Sequence, residues 1–154
     1  MNQHQFNQSL YYCLRFARGL MALGVLLVAS KVAMADVLSL SVDKQAKLVD
    51  NNTTAIVTGE VACSDREMYN VSAVVVQNQG ALLANAIGSG TQDPIGVFRP
   101  CSGLPERFEV PVRVSIPPDG TFEPGPAKAT VSALATGATG SDTQRVDTDL
   151  DLTN

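Results

Sequence analysis

The chain has no tryptophan and a single histidine, and only 5% of its 154 residues are aromatic. The histidine is His4, close to the N-terminus. Beyond it no imidazole can act as a general base, complete a serine or cysteine triad, or ligate a metal. Of four methionines only Met68 lies past residue 34, which excludes a methionine-rich copper site. Charge is thin as well, at 17% of residues, with Lys+Arg 11 against Asp+Glu 15. There is no basic surplus to hold a nucleic-acid backbone. The glycines form neither a P-loop nor a dinucleotide fingerprint, so no cofactor is implied. Stacking platforms for sugars or single strands would have to come from Tyr69, Phe98, Phe108 or Phe122.

What is present begins with an address. Arg15 and Arg18 precede the apolar run at residues 20–29, and Ala33-Met34-Ala35 follows. A basic flank, a short apolar stretch and a small-x-small site predict a secretory signal peptide. The expectation is a signal-peptide helix over residues 1–35, cleaved before Asp36, and a single domain over 36–154. The apolar run is about half the roughly 20 residues that span a bilayer, so no membrane insertion is expected after cleavage. Cleavage removes Arg15, Arg18 and Lys31, which takes the 11 basic residues to 8 against all 15 acidic ones. The resulting charge of −7 disfavours nucleic acid and acidic lipid.

Cys13 would leave with the leader, and Cys63 and Cys101 would remain. A pair in an exported protein most often forms a bridge. A bridge across 38 residues is worth about 3–4 kcal/mol by chain entropy. A redox or metal role is disfavoured, because the spacing is unlike Cys-x-x-Cys and no second ligand cluster exists.

From residue 36 onward the dominant period is two, the mark of strands. Leu38, Leu40 and Val42 alternate with serines, and Ala55, Val57, Gly59, Val61 and Cys63 alternate with polar residues. Residues 71–77 form a β-branched run without clean alternation, expected at the centre of a sheet or buried on both faces. Gln79-Gly80 predicts a turn, with Ala81 to Ile87 returning as a hairpin partner. Residues 88–105, with Gly88, Gly90, Pro94, Gly96, Pro100, Gly103 and Pro105, read as one long loop. Phe108, Val110, Val112, Val114 and Ile116 then share a face, and Pro111 suggests an edge or a bulge. Pro117-Pro118-Asp119-Gly120 is a turn signal. Two further alternating runs follow, Ala127 to Ala135 and Val146 to Leu152. Lys44 to Asp50 allows one helical turn at most. The sum is an all-β chain, expected as an antiparallel immunoglobulin-like β-sandwich of about seven strands.

Val57-Thr58-Gly59-Glu60-Val61-Ala62-Cys63, Cys101-Ser102-Gly103, the strand from Phe108, and Gly120-Thr121-Phe122-Glu123-Pro124-Gly125-Pro126-Ala127 together resemble a group of small exported bacterial proteins. These are single-domain β-sandwiches of immunoglobulin-like appearance. The resemblance covers about residues 55–136. It implies fold and export and carries no activity, so no functional residues transfer. Two departures from true immunoglobulin domains stand out. A core tryptophan is lacking, and Cys101 precedes a strand instead of lying within the penultimate one.

Three candidate sites remain. Asp147, Asp149 and Asp151 form an acidic stripe that could attract calcium. Their strand spacing of roughly 6–7 Å is too wide for one ion without outside ligands, so a solvated face that repels edge pairing is favoured and no metal is assigned. Glu106 with Glu109, or Asp65 with Glu67, could be written as a glycosidase carboxylate pair, but that chemistry usually needs an aromatic-lined cleft. The third candidate is the long loop, where Phe98 and Arg99 beside Cys101 would be presented as interface anchors; the alternative is Phe98 tucked into the domain end. The expectation is a non-enzymatic binding module in the periplasm or at the cell surface, with a protein or surface ligand as partner. The alternative is a structural subunit of a surface fibre or envelope assembly, suggested by the alternating segment Leu38-Leu40-Val42.

Overall fold

The computed structural model describes residues 36–78 and 86–154. The expected leader lies outside the described residues, as do the Gln79-Gly80 turn and most of its return segment. Among the described residues there are nine strands and no helix. They are β1 (Val37–Val42), β2 (Gln45–Val49), β3 (Thr54–Cys63), β4 (Met68–Gln77), β5 (Ala86–Thr91), β6 (Arg99–Pro100), β7 (Glu106–Ile116), β8 (Gly125–Gly137) and β9 (Gly140–Thr153).

The expected alternation places the core. Val57 and Val61 of β3, Tyr69, Val71, Ala73 and Val75 of β4, and Phe108, Val110 and Val112 of β7 all point inward. So do Ala127 to Ala135 at every second position of β8, with Leu150 and Leu152 of β9. The inward face of β8 is mostly alanine, and the large buried rings of the core are Tyr69, Phe108 and Phe122.

The two open sheets of a sandwich are not what forms. Hydrogen bonding runs from β3 through β2, β9, β8, β4, β5 and β7 and back to β3. The described residues therefore make a closed seven-stranded barrel, antiparallel except for the parallel pair β2–β9. Closure depends on β5, which pairs with both β4 and β7. Its glycines are the reason. A Cβ on Gly88 would lie 2.7 Å from the Arg113 carbonyl oxygen, and one on Gly90 would lie 2.0 Å from that of Pro111. Only bare backbone fits against β7 there. The same glycines made this stretch look like loop, and the segment read as residues 88–105 in fact holds most of β5 and all of β6.

Other local expectations also change. Lys44 to Asp50 is not helical: it forms β2 and enters a turn in which Asp50, Asn51 and Asn52 all have positive φ. Asp and Asn tolerate that region better than other residues with a side chain. Residues 71–77 are central, between β8 and β5, but buried on one face only, with Val74 and Val76 outward. The strand carrying Pro111 is not an edge, since β7 pairs with β3 on one side and β5 on the other. Its pairing to β5 extends from Ile116 to Arg113, so Pro111 lies beyond that ladder and owes it no donor. The Pro117 to Gly120 turn closes as read, with the Gly120 N–H donating to the Pro117 carbonyl at 2.9 Å.

Among the described residues β1 lies outside the ring and pairs with β3 alone. Asp43, between β1 and β2, locks this junction. Its carboxylate accepts the Thr58 hydroxyl and the Arg107 guanidinium, each at 2.6 Å. The Thr58 hydrogen bond first, and the Arg107 contacts with it, hold the Asp43 carboxyl below its ordinary value of 3.8. A lowered carboxylate pKa stabilises the fold above the unfolded value, and that stabilisation disappears as pH falls through the folded one. The group is half exposed, so the effect is worth less than about 1 kcal/mol. Urea titrations of wild type and Asp43→Asn should therefore show a gap that closes below pH 3.8. A gap independent of pH would contradict the assignment.

Candidate interaction surface

Residues 92–105 leave β5, form β6 against the start of β4, and enter β7. Proline and glycine keep this stretch from extending a ladder, yet it is braced along its length. The Gln92 N–H donates to the Val71 carbonyl at 2.8 Å, and the Val97 N–H donates to that of Pro94 at 2.9 Å. The Asn70 amide donates to the Val97 carbonyl. Arg99 grips Asp93 through two hydrogen bonds, of 2.6 and 3.2 Å. The Asp93 hydrogen bond raises the Arg99 pKa further, so the guanidinium stays charged.

The Cys63–Cys101 bridge is present, with Cα atoms 5.7 Å apart. It ties the loop to the end of β3, and the Cys101 N–H donates to the Glu67 carbonyl at 2.7 Å. Beneath, buried Tyr69 donates its hydroxyl to Glu106 at 3.1 Å. Burial first, and the Glu106 carboxylate second, push the Tyr69 pKa up, so the phenol remains a donor.

Phe98 is half-buried and Arg99 is exposed. The Arg99 guanidinium is committed to Asp93. The most open side chains are others. Ile95 is 94% exposed and Leu104 is 68% exposed, with Val97 also open to solvent. None of these three is marked by residue type as an anchor. The signal was there: apolar residues inside a proline- and glycine-rich segment have no strand face to fill.

The carboxylate candidates do not converge. Glu106 and Glu109 are three residues apart on β7 and so face opposite sides of the strand. Asp65 is exposed beside Arg66, whereas Glu67 is buried. On β9, Asp147 accepts the Thr130 hydroxyl and the Arg145 guanidinium. The Thr130 bond first, then Arg145, lower its pKa. Asp149 faces Lys128 across the β8–β9 ladder. Among the described residues no group of three His, Cys, Asp or Glu side chains is arranged to hold a metal. The depressions on the outside of β4, β8 and β9, lined by residues such as Val76, Lys128 and Asp149, are shallow and open.

No protein-family model matches the chain, and no curated protein matches it. Among solved structures it is similar to the crystal structure of AggA, the major subunit of aggregative adherence fimbriae type I from Escherichia coli. The TM-score is 0.42 at 14% sequence identity, over 77% of this chain and 94% of that one.

Proposed function

We propose that the chain is a non-enzymatic exported protein, in the periplasm or at the cell surface, that works by docking another protein on the loop at residues 92–105. One observation carries this reading: Ile95 is 94% exposed on a segment braced at both ends. Open apolar side chains on a rigid support lose little entropy on binding. The half-buried Phe98 ring and the Arg99–Asp93 pair flank them as anchor and polar rim.

A second reading, a structural subunit of a surface fibre or envelope assembly, draws on β1. Among the described residues this strand is paired on one side only, and its Leu38 points outward, 58% exposed. A half-paired strand can accept another chain's strand.

One experiment separates the two. A photo-crosslinking residue is placed at position 95 or position 38 of the full chain expressed in its own host, with position 148 on β9 as control. A discrete adduct of foreign mass from position 95, lost on Val97→Asp, is the expected result. A ladder at multiples of the chain's own mass from position 38 would favour the fibre subunit. Adducts no different from the control at both positions would overturn both readings.

A further inference from the structure

Glu67 is a buried carboxylate, 8% exposed, in the short link between β3 and β4. Among the described residues no lysine or arginine pairs with it. Its Oε2 instead accepts the backbone N–H of Asp36 at 3.1 Å. The next backbone N–H, of Val37, donates to Asp142 Oδ2 at 3.0 Å. Asp36 is held from its other side too, because the Ser64 N–H donates to its carbonyl at 3.1 Å. Two carboxylates thus converge on two successive backbone nitrogens, next to a disulfide that fixes the surrounding chain.

A carboxylate withdrawn from water is best matched by a full opposite charge, which one neutral peptide N–H does not supply. The sequence places Ala33-Met34-Ala35 immediately before this nitrogen. We infer that the chain is processed between Ala35 and Asp36, and that the new α-ammonium group of Asp36 becomes the counter-ion of Glu67. Hydrolysis by a leader-removing peptidase consumes one water. Ala35 keeps the oxygen as a carboxylate, and the Asp36 nitrogen takes up the protons. The nitrogen need not move, since the atom that donates to Glu67 in the peptide is the atom that carries the charge afterwards. Processing thereby adds a positive charge to the donor of this hydrogen bond and makes it an ion pair that anchors β1 on the barrel.

The test uses the full chain expressed for export and recovered after processing. Intact mass should place the first residue at Asp36, and any other N-terminus overturns the inference. An amine-acylating reagent at neutral pH then reads the free base at that terminus. An ion-paired ammonium resists acylation, so Glu67→Gln should be labelled about tenfold faster. Equal rates overturn the inference. A second variant inserts one alanine after Ala35, so that processing leaves an extra residue ahead of Asp36. Its terminus should label at the fast rate even if Glu67→Gln does not fold, and a slow rate there also overturns the pairing. None of these readouts needs a partner protein, so they stand or fall apart from the docking surface.

Discussion

Replacing Cys63 and Cys101 together by alanine lowers the thermal midpoint by roughly 10–15 °C, the equivalent of about 3–4 kcal/mol. The bridge spans 38 residues, and cutting it restores that loop's freedom to the unfolded chain. Alanine is chosen because both cysteines are buried, and a serine hydroxyl there would add the cost of an unpaired polar group. The loss is not only a matter of the unfolded state. Cys63 ends β3 opposite Val37 of β1, and Cys101 precedes the entry to β7, so one bond joins three segments. Residues 92–105 keep the Arg99–Asp93 pair in the variant but lose their covalent tether. Limited proteolysis should therefore cut within this loop before any of the seven barrel strands. Calorimetry with and without reductant checks the first expectation. A midpoint change under about 3 °C would mean that the fold holds this loop without the bridge.

β7 and β8 were legible because one face of each is buried. Phe108, Val110 and Val112, or Ala127 to Ala135, announce their face by simple alternation. The cysteine pair was legible because a sequence that reads as exported leaves two cysteines few other uses. Barrel closure was not, because its signal is negative. Gly88 and Gly90 are needed where β5 lies against the β7 backbone, and glycine in a single sequence reads first as a breaker. The left-handed turn at Asp50 to Asn52 was hidden in the same way, since its residues also suit helix ends and loops. In the loop at residues 92–105 Phe98 and Arg99 stand out by residue type alone. The structure spends the Arg99 charge on Asp93 and leaves Ile95 and Leu104 outermost. Which apolar residue of a loop faces solvent depends on contacts such as Asn70 to Val97, and no local pattern encodes those.

Phe108→Ala should cost about 3–5 kcal/mol, the upper range for a buried ring. Phe108 is 1% exposed, on the strand that closes the barrel against β3. Its partner across that ladder is Gly59. A Cβ on Gly59 would meet the ring at 2.6 Å on one side and the Ser41 carbonyl oxygen of β1 at 2.1 Å. The ring therefore occupies the space that a side chain at Gly59 would claim. Removing it leaves a void that the neighbours cannot close by sliding inward. β3 is held by β1 and β2 along one edge and by β7 along the other, so its backbone is fixed by three ladders. A site that cannot collapse lies at the costly end of large-to-small substitutions. Phe108→Leu keeps most of the volume and should cost about 1 kcal/mol. Urea unfolding of the three proteins with a common slope checks the ordering. If alanine costs no more than leucine, β3 and β7 must move together to fill the gap, and the closed ladder would be softer than its pairing implies.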